Sequence, residues 1–96
     1  MNDTIIRKRI RFHGLVQGVG FRYRARHAAS AVGATGWVRN DPDGSVSMEI
    51  QGNRAQIDQV VEMIDRGMYV RIEAMEEKII PIEENERDFT TKDSRW

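Results

Sequence analysis

The chain has 96 residues, 40% hydrophobic and 31% charged, with 15 Lys/Arg balanced by 15 Asp/Glu and no cysteine. That length and balance suit one small soluble domain with one core and argue against a disordered chain. Without cysteine there are no disulfides and no cysteinate metal sites. No apolar run approaches the roughly 18 residues of a membrane helix, and the opening Met-Asn-Asp-Thr-Ile-Ile-Arg does not read as a signal peptide.

Ile6 to His13 alternates, with Ile6, Lys8, Ile10 and Phe12 on one side and Arg7, Arg9, Arg11 and His13 on the other. Period two with one mostly apolar side predicts a strand covered on one face only. Lys8 interrupts the apolar set where its stem can snorkel outward, and Arg7, Lys8, Arg9 and Arg11 are expected to decorate solvent. Gly14 to Arg22 then forms a glycine-rich connection into a helix. From Phe21 the period becomes helical: Phe21, Ala25, Ala28, Ala29 and Val32 form one stripe, and Gly33 is a C-terminal stop. Small alanines let that helix sit close to a sheet, with Tyr23, Arg24 and His27 at its partly solvated surface.

Thr35 to Asn40 has the composition of a short strand. Asp41-Pro42-Asp43-Gly44 is a turn, with Pro setting φ and Gly accepting positive φ. Val46, Met48 and Ile50 alternate with polar residues and complete a hairpin. Asn53 is an N-cap with Gln56 three residues on, the capping-box spacing. Ile57, Val60, Val61, Ile64 and Met68 supply the buried stripe of a second helix, which Gly67 closes. Tyr69 to Ile82 is mainly extended, Glu83 to Asp88 is too charged for core, Phe89-Thr90-Thr91 is a short edge strand, and Lys92 to Trp96 is a frayed tail. The order βαββαβ predicts an α+β, ferredoxin-like sandwich with two helices on one face of a mainly antiparallel sheet and the other face wet. It forms a single domain over 1–96, with its core at about 5–82 and an edge strand and tail at 83–96.

The chemistry concentrates at the glycine loop. Gly14, Gly18 and Gly20 free the backbone to turn and bring N–H groups to a ligand. At a helix N-terminus such groups lack intrahelical partners and carry the positive end of the dipole, a setting for phosphate. Arg22 follows with a planar fork that can take two phosphate oxygens. The neutral total also conceals an asymmetry: residues 1–40 hold eight Lys/Arg and one Asp/Glu (8 − 1 = +7), and residues 41–96 hold seven and fourteen (7 − 14 = −7). The basic half carries the loop, so a positive field is expected to draw anions towards it. His13 and His27 stand alone, with no clustered carboxylates, which leaves a metal site or phospho-enzyme without support.

Gly14-Leu15-Val16-Gln17-Gly18-Val19-Gly20-Phe21-Arg22 closely resembles the signature of the acylphosphatase family. Gly36-Trp37-Val38-Arg39-Asn40, continued by Asp41-Pro42-Asp43-Gly44-Ser45-Val46, resembles a second family signature. The resemblance is good over residues 6 to 70 and poor in the last quarter, where Met68 follows Gly67 in place of the family's common proline. It implies the family's sandwich with a short fifth strand. It also implies a stand-alone enzyme that hydrolyses the carboxyl–phosphate anhydride of acyl phosphates, with no metal and no cofactor. Arg22 and the backbone of Leu15, Val16, Gln17, Gly18, Val19 and Gly20 are thereby assigned to the substrate phosphate, and Asn40 to holding the attacking water. The Gln17 side chain is expected to be structural to the loop, and Phe21 and Trp37 to be packing residues.

A small-molecule acyl phosphate is then the partner, with inorganic phosphate as product inhibitor, and the chain is expected to be a cytoplasmic monomer that binds neither membrane nor nucleic acid. The runner-up is a non-catalytic acylphosphatase-like module that binds a phospho-ligand or a protein. RNA binding on the same element order would need exposed aromatics on the central strands, and Arg9, Arg11, Ser47 and Glu49 are not aromatic.

Overall fold

A computed structural model of the chain describes residues 3–92; of the tail expected at 92–96 only Lys92 lies within them, and its N–H donates to the Val38 carbonyl at 2.8 Å. The elements are β1 (Ile6–Leu15), α1 (Phe21–Val32), β2 (Thr35–Asn40), β3 (Val46–Gly52), α2 (Arg54–Asp65), β4 (Arg71–Ile80) and β5 (Phe89–Thr91). The strands form one sheet in the order β4-β1-β3-β2-β5. All neighbours are antiparallel except β5, which runs parallel to β2. The sheet is thus five-stranded, and the expected ferredoxin-like sandwich is the fold observed.

Alternation explains the core. Ile10 and Phe12 of β1, Val38 of β2, and Val46, Met48 and Ile50 of β3 bury against Phe21, Ala25, Ala28 and Ala29 of α1 and Ile57, Val60 and Ile64 of α2. Phe12 and Phe21 meet edge-to-face at 4.8 Å between ring centroids, which pins the first residue of α1 to the middle of the sheet. The capping box of α2 forms as expected: Asn53 Oδ1 accepts from the Gln56 N–H, and Gln56 Oε1 accepts from the Asn53 N–H, both at 2.8 Å.

Three local expectations are corrected. β1 runs two residues past His13, and Gly14 belongs to the strand rather than to the loop. His13 pairs with Ala74 and Gly14 with Ile72, so Glu73 is the extra residue of a β-bulge. Gly14 has φ of +127°, and a Cβ on it would also collide with the Arg71 carbonyl, so backbone conformation and close strand approach both require glycine there. Met68, assigned to the buried stripe, is 86% exposed, because α2 has already ended at Asp65. Gly67 does not take the left-handed stop conformation; a Cβ there would meet Val70 and Arg24, so it too serves close packing.

The face opposite the helices is not simply wet. Arg7, expected at the surface, is only 2% exposed. Its Nε donates to Glu49 Oε1 at 3.0 Å, Nη1 donates to Glu86 Oε1 at 2.7 Å and Gln51 Oε1 at 3.2 Å, and Nη2 donates to Glu86 Oε2 at 3.1 Å. The charged stretch after β4 is therefore drawn over the sheet as a cover. Gln51 fastens it further, donating to the Glu83 carbonyl and accepting from the Glu83 N–H. Trp37 also lies on this face, buried beneath the cations of Arg9, Arg39 and Lys92.

Candidate active site

Between β1 and α1 the chain makes a tight crossing whose two later glycines, unlike Gly14, border open space. Gly18 and Gly20 have φ of +72° and +79°, and a Cβ at either would meet nothing within 4 Å. Backbone conformation demands glycine here, and the space beside it is open to a ligand. Gly20 is the N-cap of α1, yet no side chain caps the helix and no acidic residue sits in its first turn. The first-turn N–H groups and the positive dipole end therefore remain uncommitted to protein side chains.

A hollow of about 180 Å³ opens at this end of α1, lined by Val16, Gly18, Gly20, Phe21, Arg22, Tyr23 and Asn40. Arg22 and Asn40, the two side chains singled out from the sequence, thus share one cavity although they lie on different elements. Arg22 is half-buried in the first turn of α1 and makes no ion pair or side-chain hydrogen bond among the described residues. Asn40 ends β2, paired across the ladder with Val46. Of the six loop residues put forward, Val16, Gly18 and Gly20 line the hollow and the other three do not. Leu15 is the last residue of β1, paired with Arg71. Val19 packs against the core.

Gln17 has the structural part expected of it. Its Nε2 donates to the Asp41 carbonyl at 2.7 Å and the Ser45 carbonyl at 2.8 Å. One amide therefore ties the glycine loop to the turn that begins beside Asn40. The far side of that tie is a residue the sequence reading passed over. Asp41 is 4% exposed, and its Oδ2 accepts from Ser47 Oγ at 2.6 Å and Ser45 Oγ at 3.0 Å. Arg39 Nε donates to Oδ1 at 3.3 Å, and Arg11 Nε lies 3.6 Å from Oδ2. Burial by itself would raise the Asp41 pKa, but the two hydroxyls and two guanidinium groups outweigh it and hold the carboxyl below its ordinary 3.8.

A depressed folded-state pKa means that Asp41 stabilises the fold above about pH 4 and that this contribution is lost as pH falls through the lower, folded value. Asp41→Asn is expected to be destabilised by about 1–3 kcal/mol at neutral pH. In urea unfolding followed by circular dichroism, the gap to the unsubstituted chain should narrow steadily as the solution is acidified below pH 4. A gap independent of pH would show that the carboxylate charge is not what holds the turn.

Most basic groups of β1 are engaged across strands: Arg7 and Arg9 with Glu49, Lys8 with Glu77, Arg11 with Asp41, and His13 with Glu76. At the hollow itself the positive groups are Arg22 and the uncapped end of α1. A larger space of about 610 Å³ lies between the far end of α1 and β5, remote from both glycines and from Asn40. It offers no counterpart to this convergence.

Among the described residues no group of three or more His, Cys, Asp or Glu comes together as a metal site. No described helix is long and apolar enough to cross a membrane. The acylphosphatase family model matches residues 8–91, well beyond the stretch on which the sequence resemblance rested. An acylphosphatase of Rhizobium etli is 41% identical over 90 residues, which cover 93% of this chain and 96% of that protein. The crystal structure of acylphosphatase from Bacillus subtilis superposes with a TM-score of 0.82 at 28% identity, covering 91% of this chain and 98% of that one. The fold also recurs within T. kodakarensis HypF, with a TM-score of 0.77 at 29% identity, covering 94% of this chain but 12% of that one. Curated relatives that are themselves acylphosphatases favour the enzyme over a non-catalytic acylphosphatase-like module. On the match to the family model, the relatives and the shared architecture, the chain belongs to the acylphosphatase family.

Proposed function

We propose that this acylphosphatase binds the phosphoryl end of an acyl phosphate in the hollow at the N-terminus of α1 and splits the carboxyl–phosphate anhydride with water, needing no metal. The observation that carries the reading is the convergence of an uncapped helix end, two left-handed glycines, an arginine with no ion pair among the described residues and an asparagine amide on one small cavity. At about 180 Å³ it is smaller than the roughly 300–1,000 Å³ pockets that enclose a whole small-molecule ligand. It therefore takes the phosphoryl group and leaves the acyl group to the rim and solvent, so different acyl phosphates serve as substrates.

Main-chain amides of the loop and the Arg22 fork collect the three negative oxygens, whose charge is spread in the transition state. Asn40 holds a water in line with the scissile P–O bond. An amide is too weak a base to take the proton, which passes to a phosphate oxygen. The departing carboxylate is weakly basic and leaves without a strong general acid. One chain supplies every group, so the monomer is the catalytic unit, and the described residues act as one domain. A cysteine-free chain acting on a soluble anion fits the cytoplasm.

The test is phosphate release from benzoyl phosphate in the presence of a chelator. Turnover should persist, and inorganic phosphate, which fits the same cradle, should inhibit it competitively. Asn40→Ala should lower kcat by about 10²–10³-fold with KM nearly unchanged, the pattern of a group acting mainly on the transition state. A requirement for Mg²⁺, or full activity in Asn40→Ala, would overturn the mechanism.

A further inference from the structure

We propose that two copies of this chain join edge to edge through β4, making their two sheets continuous about a two-fold axis at Glu77. The strand lies at the end of the sheet order, with no further strand beyond it among the described residues. Of β4 only Ile72 packs against the core, and Met75, Ile79 and the charged residues between them are exposed. An edge of this length leaves a row of N–H and C=O groups unpaired, and charges along it ordinarily repel a second edge. On β4 the charges are arranged so that a second copy in antiparallel orientation matches them.

The bulge at Glu73 ends the regular ladder on one side, and Pro81 ends it on the other. Between them runs the seven-residue stretch Ala74–Ile80, with Glu77 at its midpoint. Antiparallel pairing about Glu77 sets Glu76 opposite Lys78 of the second copy, and Lys78 opposite its Glu76. On the other face Met75 meets Ile79 and Ile79 meets Met75, and at the ends Ala74 meets Ile80. Directly opposed side chains share a face, as each of these pairs does. The single like-charge pair is Glu77 on Glu77, and each carries its own Lys8, whose Nζ lies 3.1 Å from Glu77 Oε1.

Neighbouring registers lack this match. Pairing about Lys78 sets lysine against lysine and Glu77 against Ile79. Pairing about Glu76 sets Met75 against Glu77 and leaves Lys78 facing Ala74. Lys78 also lacks satisfaction within one chain. Its cross-strand neighbour is Arg9, a like charge already held by Glu49, and Lys78 makes no ion pair among the described residues. A glutamate arriving from the free side is the partner it lacks. The monomer expected from the sequence thus becomes the dilute form of a reversible dimer.

Sedimentation velocity from micromolar to near-millimolar chain concentration tests this, with circular dichroism and phosphate release confirming that each variant is folded and active. Wild type should show a concentration-dependent monomer–dimer equilibrium. Lys78→Glu and Glu76→Lys should each weaken it on the order of tenfold or more, since like charges then face one another twice. An equimolar mixture of the two variants should recover the wild-type affinity, because one copy then presents only lysines and the other only glutamates at these positions. A chain that stays monomeric throughout, single variants that associate as wild type does, or a mixture that gains nothing would each overturn the proposal.

Discussion

Arg22→Gln is expected to lower kcat/KM on benzoyl phosphate by about 10²–10³-fold while leaving thermal stability within about 0.5 kcal/mol of wild type. The two halves of that expectation have separate physical sources. Activity falls because glutamine keeps hydrogen-bonding capacity but loses the charge and the planar fork that spans two phosphate oxygens. Stability is spared because the Arg22 guanidinium has no ion pair to lose among the described residues and lies at the rim of the core rather than in it. Arg22→Lys separates charge from geometry: it restores the positive point but not the fork, and should recover only part of the lost rate. Initial rates across substrate concentrations, together with thermal denaturation, check both halves. A variant that keeps a tenth or more of wild-type kcat/KM would remove Arg22 from the phosphate clamp, and one that unfolds would show a structural duty not visible in its contacts.

What the sequence made legible was whatever is written locally. Period two in Ile6 to Phe12, the helical stripe from Phe21, the Asp-Pro-Asp-Gly turn and the Asn53/Gln56 box are each decided by residues within a few positions of one another, and each forms as expected. The meeting of Arg22 with Asn40 is of another kind. It depends on β3 pairing between β1 and β2, which local pattern does not specify; the two signature strings supplied it through resemblance. Buried polar groups were the least legible. Asp41 looks like an ordinary turn aspartate, and nothing nearby in sequence announces that Ser45, Ser47 and Arg11 will converge on it. Ser47 itself, grouped with the exposed face, is 1% exposed because Asp41 closes over it.

Arg7→Met carries the largest expected loss of stability, about 3–5 kcal/mol, a large part of the 5–15 kcal/mol that holds a domain of this kind. Alternation placed Arg7 at the surface with Arg9 and Arg11, and within β1 nothing distinguishes the three. The difference arrives from 79 residues away, when Glu86 closes over the strand and takes two guanidinium nitrogens. Burial works against the charged arginine, yet Glu86 and Glu49 more than offset it and raise its pKa, so it stays ionised at any pH the fold survives. Removing it leaves the largely buried Glu49 and Glu86 facing one another without the guanidinium between them, and a poorly compensated charge costs far more than a missing contact. Arg9→Met, which removes an exposed partner of the same Glu49, should cost less than about 1 kcal/mol. Because Glu86 also holds the segment leading into β5, the damage should extend beyond β1. Hydrogen exchange in Arg7→Met should rise first at Phe89–Thr91, and the added substitution Glu86→Gln should return part of the lost stability by removing one stranded charge. Equal losses in Arg7→Met and Arg9→Met would mean that the cover over Arg7 adds nothing to the fold.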